Sequence, residues 1–459
     1  MKLKRFIGKN IRGYLNLNID FRDGTTFLIG INGSGKTSVL ELIKGLLTPS
    51  YKILEEIEFS NIELSLSNDG KEYNLSCSKN KEIITIVCNH SDRFLSKTNF
   101  NRIQNLEIDY DTDSLNEYSQ RFSELETCKI ISKLPTPLFI GINRLPEHDI
   151  FDYIRSRRLM QRLPYKYRTQ NNATIDNSLR AIQEIIFDKY RRNAAEQNKH
   201  IEEFRKKVIS EALSLITIKD YTIDNPQLLE NELSKYEEKK EHFIQALLHA
   251  GIEDAENITD SFFDYQHENI GILNKEKEVS EERRSNAVIG WFVCKNQLDK
   301  IDKIIDYEIE YEYKLKKQNE PFERFIECAN MFFKESGKEI VIFASGEIKV
   351  KTTYISEDGM IKNHLDEVFS LSSGEKQIVS LVGSLIFSSS NVRPDVIVID
   401  EPELSLHLTW QEIFVDAMMK AQPQFQFILA THSPTIISKI ERREWCEDLS
   451  RPFINTSQQ

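Results

Sequence analysis

Gly30-Ile31-Asn32-Gly33-Ser34-Gly35-Lys36-Thr37 is the stretch whose reading decides the fold. It satisfies GxxxxGK[ST] at every fixed position. Gly33 and Gly35 let the backbone bend so that several N–H groups of the loop, from Asn32 through Ser34 and on to Ser38, point at one phosphate. The helix pattern that follows, Thr37-Ser38-Val39-Leu40-Glu41-Leu42-Ile43, adds its positive end to the same anion. Lys36 reaches the phosphates as a point charge, and the Thr37 hydroxyl is suited to ligate Mg²⁺. A glycine turn matching by chance is the plain alternative; a short apolar strand before the loop, Thr26 to Ile29, and a helix after it make that alternative poor.

Outward from the loop, Lys2 to Ile7 and Tyr14 to Phe21 read as extended, with a turn at Asp23-Gly24. Between Tyr51 and Glu107 the chain alternates, with Ile62, Leu64 and Leu66 on one face and Ile83, Ile84, Ile86 and Val87 in a further strand, which predicts an antiparallel β-subdomain. Pro137 to Ile142 has the composition of a short buried strand. Helical spacing dominates from Asp176 to Lys338, and its cleanest stripe is Phe322, Phe325, Ile326, Ala329, Phe332 and Phe333. Strict heptads are missing, so this stretch predicts several packed helices and not an extended rod. Strand signals return at Ile340 to Phe343 and Glu347 to Ile355, with a hairpin turn at Ser345-Gly346. The expected organisation is an N-terminal lobe over 1–150, a mainly helical insertion over 151–338, a C-terminal lobe over 339–446 and a frayed tail over 447–459.

Three further stretches carry chemistry. Val396-Ile397-Val398-Ile399-Asp400-Glu401 is an apolar run suited to a strand buried on both faces, ending in two acids. Such a strand delivers Asp400 to a magnesium ion and Glu401 to a water that it polarises as a general base. Leu371-Ser372-Ser373-Gly374-Glu375-Lys376-Gln377 opens a helix, with Gly374 26 residues before Asp400; by itself it reads equally as an N-capped helix with a serine-rich start. Phe427-Ile428-Leu429-Ala430-Thr431-His432-Ser433-Pro434 is another apolar strand ending in a polar turn.

Together and in this order, these stretches resemble the ATP-binding-cassette family. Leu371 to Glu375 is similar to its LSGGQ signature, departing at Ser373 and Glu375. The resemblance implies an α/β ATPase head, with a mixed and parallel sheet carrying the P-loop and an antiparallel β-subdomain, here interrupted by a large helical insertion. It implies ATP and Mg²⁺ as cofactors, Asp400 and Thr37 on the metal, Glu401 as catalytic base and His432 as the switch histidine at the γ-phosphate. It also implies that Ser372, Ser373, Gly374 and Glu375 close over ATP bound by a second copy, giving a two-fold ATP-sandwich dimer or a higher oligomer.

The D-loop, Asp400 to His407, ends in Leu406-His407. That ending looks like the soluble branch related to chromosome-maintenance, double-strand-break-repair, RecF and overcoming-lysogenization-defect proteins. Lys9-Asn10-Ile11-Arg12-Gly13-Tyr14 is similar to that branch's N-terminal element, which implies Arg12 at the phosphates. A glutamine-loop residue is not evident; Asn143 is a weak candidate. Within the branch the chain resembles compact ATPases of bacterial antiphage systems, the Septu ATPase PtuA first, then the PARIS ATPase AriA and retron-associated ATPases. The implied partner is a separately encoded nuclease, HNH-type before TOPRIM-type. Only 27 residues follow His432, so no nuclease domain is expected in this chain. A DNA-repair ATPase of RecF or double-strand-break-repair type is the alternative.

Bulk properties limit the rest. The chain has 459 residues, long for one core, and is 40% hydrophobic and 29% charged. No apolar run reaches the roughly 18 residues that span a bilayer, no signal peptide is evident, and the scattered cysteines form no CxxC pair, so a cytoplasmic protein without zinc is expected. A net charge of −12 argues against bulk coating of nucleic acid. A basic stretch with Arg155, Arg157, Arg158 and Arg162, interleaved with Tyr153, Tyr165 and Tyr167, is a candidate DNA or RNA contact. Its bland reading is a solvated loop or a patch facing acidic neighbours.

Overall fold

The alternation of apolar residues in the first hundred positions builds a six-stranded antiparallel sheet. Its strands are β1 (Lys2–Ile11), β2 (Leu15–Asp20), β4 (Asn61–Asn68), β5 (Lys71–Lys79), β6 (Ile83–His90) and β7 (Arg93–Asn101), in the order β2-β1-β4-β5-β6-β7. The continuous apolar runs instead build a five-stranded sheet from β3 (Thr25–Ile29), β8 (Leu138–Ile140), β12 (Val396–Asp400), β13 (Gln426–Ala430) and β14 (Cys446–Asp448). Its order is β14-β3-β13-β12-β8 and every pairing is parallel. A third sheet, β9 (Lys338–Ile342), β10 (Ile348–Ile355) and β11 (Ile361–Glu367), is antiparallel in the order β11-β10-β9. In this computed structural model the described residues are 1–90, 93–102, 112–140, 175–214, 239–274, 280–356, 359–387, 395–404 and 406–450.

The described helices are α1 (Lys36–Leu47), α2 (Tyr51–Glu56), α3 (Thr112–Ser123), α4 (Glu126–Ile131), α5 (Ile175–Ala212), α6 (Lys240–Ala250), α7 (Ala255–Asn274), α8 (Glu281–Phe333), α9 (Ser373–Phe387), α10 (Leu408–Ala421) and α11 (Ile440–Arg443). Two compact units divide the chain, Met1–Phe187 with Glu323–Gln459, and Asp188–Phe322. In the first, one hydrophobic core joins Val39, Leu42 and Ile43 of α1 to Ile62 and Leu64 of the antiparallel sheet and to Val398 and Ile428 of the parallel one. Helix α1 is therefore buried nearly all round, which fixes its N-terminus against the parallel sheet. The architecture is the expected one: an α/β head with a P-loop on a parallel sheet, an antiparallel β-subdomain and a helical insertion.

Local differences have physical causes. Tyr51–Glu56, inside the stretch read as alternating, is a helix, capped by the Ser50 side chain, which accepts from Ile53 N–H. Several packed helices were expected over 151–338, and the described residues there include α5, α6, α7 and α8. No helix lengths were expected; α8 runs 53 residues, about 80 Å at 1.5 Å per residue, and α5 runs 38. Phe204 and Val208 of α5, Phe243 and Leu247 of α6, and Leu298, Ile301, Ile305 and Tyr311 of α8 share one core. Packing against several neighbours supports a long helix without the strict heptads that a two-stranded coiled coil needs. Among the described residues no helix is long and apolar enough to cross a membrane. Of the tail expected over 447–459, Glu447 and Asp448 lie in β14, paired to β3, and 451–459 lie outside the described residues.

Candidate nucleotide site

Parallel pairing puts the carboxyl ends of β3, β13 and β12 side by side, and each delivers one motif. Strand β3 runs into the glycine loop, β12 ends at Asp400, and β13 ends at Ala430, opposite Asp400 in register. An edge of this kind, where loops leave the carboxyl ends of parallel strands, is where open α/β sheets bind ligands. In the loop Gly33 and Gly35 take φ of +84° and +92°. A Cβ on Gly35 would meet Leu15 Cδ1 at 2.9 Å, so both backbone conformation and space demand glycine there.

Lys36 is buried within the loop. Its ammonium donates to Gly30 O at 2.9 Å and Ile31 O at 3.3 Å, and lies 3.4 Å from His432 Nδ1. Burial pushes its pKa down, while Glu401, Asp400 and Glu403 oppose that shift. The Thr37 hydroxyl hydrogen-bonds the Asp400 carboxylate, whose pKa burial nevertheless pushes up. Asp400 Oδ1 is buried with no hydrogen-bond partner. A buried carboxylate oxygen without a partner, beside a threonine hydroxyl, fits a hard divalent cation. Glu401 sits one residue on in the left-handed region, φ +50°, held by its N–H donating to Ala430 O at 2.8 Å. Non-glycine residues in that region cost free energy and cluster at functional sites.

Arg12 lies on the turn between β1 and β2, also at positive φ (+51°), with its N–H on Glu58 O at 2.7 Å. Its Nε donates to Ser38 Oγ at 2.7 Å, which brings it to the first turn of α1. Asn32 is exposed, and Ser34 is buried beside Lys36. The signature-like stretch opens α9. Ser372 N–H donates to Glu375 Oε2 at 2.8 Å and Glu375 N–H to Ser372 Oγ at 3.4 Å, a reciprocal capping box. Lys338 of β9 holds the same carboxylate at 2.8 and 3.1 Å. These bonds hold Glu375 below the usual carboxylate pKa against the effect of its burial. Glu375 is thus committed to its own chain, while Ser372 and Ser373 are exposed and Gly374 half-buried.

Two residues not singled out from the sequence complete the site. Glu403 accepts from Thr431 Oγ1 at 2.8 Å and from His432 N–H at 2.6 Å, tying the D-loop to the turn after β13. Gln411 accepts from Ser433 Oγ at 2.6 Å and donates to Leu406 O at 3.0 Å. An acid two residues past Glu401 was the one available signal for Glu403; nothing local marks Gln411. Arg155, Arg157, Arg158 and Arg162, and Asn143, lie outside the described residues.

A model of the AAA ATPase domain family matches residues 1–437 of this chain. Among curated proteins, the retron Vc95 probable ATPase of Vibrio cholerae serotype O1 biovar El Tor is 27% identical over 228 residues, 47% of this chain and 42% of that one. The DNA double-strand break repair Rad50 ATPase of Methanosarcina acetivorans is 37% identical over 83 residues, 16% of this chain and 8% of that one. Both alignments span less than half the length of the relative matched. Among solved structures, the SMC head domain from Thermotoga maritima covers 95% of this chain and 92% of its own at 13% identity and a TM-score of 0.33.

Proposed function

Since the chain belongs to the AAA ATPase domain family, we propose that it binds and hydrolyses ATP at the carboxyl edge of its parallel sheet. One observation carries this reading: Lys36, the partly unpartnered Asp400, Glu401 and His432 converge on the P-loop from three adjacent strands. In the proposed mechanism the loop N–H groups and Lys36 bind the phosphates, and Arg12 adds charge at the first turn of α1. Asp400 and Thr37 would hold Mg²⁺, which when bound supplies positive charge to the phosphates. Glu401 accepts a proton at its carboxylate from the attacking water. His432, aligned through its N–H by Glu403, reads the γ-phosphate. Ser372, Ser373 and Gly374 serve the ATP of a second copy in a two-fold sandwich, and loss of the γ-phosphate contacts then loosens the pair.

The finer reading is an ATPase of an antiviral defence complex that regulates a separately encoded nuclease, HNH-type first and TOPRIM-type second. The D-loop ending and the similarity to a protein named as a retron ATPase support it. The retron-associated kind has this added support, whereas a Septu role rests on resemblance of motifs alone. Coexpression with the neighbouring reading frames tests it. Copurification of a nuclease whose activity changes with ATP supports the proposal; no such partner, together with ATP turnover stimulated by DNA ends, replaces it with the repair reading.

A further inference from the structure

We propose that the outer edge of β11 is a self-association surface, on which a second copy of this chain adds its own β11 in antiparallel register without any need for nucleotide. Strand β11 pairs with β10 on one side, and among the described residues no strand pairs with the other. The β10–β11 register is unbroken from Lys349↔Glu367 to Ile355↔Ile361. None of its residues Ile361-Lys362-Asn363-His364-Leu365-Asp366-Glu367 is buried. Unpaired edges are guarded by prolines, bulges or charged side chains; β11 has no proline or bulge, and its charges are Lys362, Asp366 and Glu367. It also exposes apolar side chains: Ile361 is 73% and Leu365 51% exposed, and Ile355 and Met360 at the hairpin end are 75% and 65% exposed.

The residues of β11 select the occupant. About a two-fold axis at His364, antiparallel pairing sets Lys362 opposite the partner's Asp366, and does so twice by symmetry. Parallel in-register pairing would set each lysine and each acid against its own copy, which is repulsive. The charges therefore favour a closed pair of copies over an open stack. No residue of the nucleotide site takes part, so this interface and the ATP sandwich are separate two-fold contacts. A chain carrying both assembles beyond a dimer when ATP is bound.

Sedimentation of the full-length, nucleotide-free protein tests the proposal. A dimer is expected, with protection from hydrogen exchange along 361–367. Lys362→Glu and Asp366→Lys should each weaken it roughly tenfold, and the double variant, which restores opposite charges across the axis, should recover it. A nucleotide-free monomer, a dimer that neither single substitution weakens, or failure of the double variant to recover would each overturn the proposal. Because ATP is absent throughout, these outcomes are independent of whether the ATPase assignment holds.

Discussion

Asp400 shows what the proposed metal site costs the fold. Its inner oxygen is buried without a partner, and burial raises its pKa above the ordinary 3.8. An acid whose folded pKa is raised contributes stability that is fully present below its unfolded pKa and lost as pH rises through the folded value. At neutral pH the ionised carboxylate is therefore a net cost in the protein free of metal and nucleotide. Asp400→Asn keeps an acceptor for Thr37 and removes the charge, so it should stabilise that form by about 1–3 kcal/mol at pH 7. Thermal melts at pH 7 and near pH 4 check this: the gain should shrink at the lower pH, and a less stable variant at pH 7 would refute it. Asp400, Glu401 and Lys36 were legible in sequence because each sits in a short string with one tolerable geometry. Glu403 was not, because its bonds to Thr431 and His432 cross 28 and 29 residues and exist only once β12 and β13 lie side by side.

Among the elements, the N-terminus of α9 matters most. Its capping box and the Lys338 contact hold the first turn from within, leaving Ser372 and Ser373 open at its surface. If those residues act on the ATP of a second copy, two inactive variants should complement. Lys36→Ala and Ser373→Arg should each abolish turnover alone. Mixed one to one, they should recover about a quarter of wild-type turnover, since half the dimers are hybrids with one intact site. A mixture as inactive as its parts would show the site to lie within one chain. The helix start was legible from its serine-rich N-cap, Ser372-Ser373; the reciprocal bonds with Glu375 were not read from the sequence. Strand β11 was not, since Ile361-Lys362-Asn363-His364-Leu365-Asp366-Glu367 lacks the apolar alternation of a half-buried strand. None of its residues is buried, so neither face of the strand demands that alternation.

For the molecule as a whole, the head is assembled from the two ends of the chain. Strand β3 near the N-terminus takes β13 and β14, from the C-terminal stretch, as its neighbours. Buried strand runs and loop motifs marked both ends in the sequence, because a parallel sheet needs continuous apolar strands and a phosphate loop needs its glycines. The helical part was legible in type and not in length: buried positions such as Leu298, Ile301 and Ile305 specify a helical face and Gly337 marks its end, while Pro321, ordinarily a helix breaker, lies inside the 53 residues. The central proposal for the whole molecule is ATP hydrolysis at the shared edge of that sheet, with Glu401 as base. The most direct test is Mg²⁺-dependent ATP turnover by Glu401→Gln, read beside its ATP binding. Turnover at least about 100-fold below wild type with binding retained is the predicted result; wild-type turnover in the variant would contradict it.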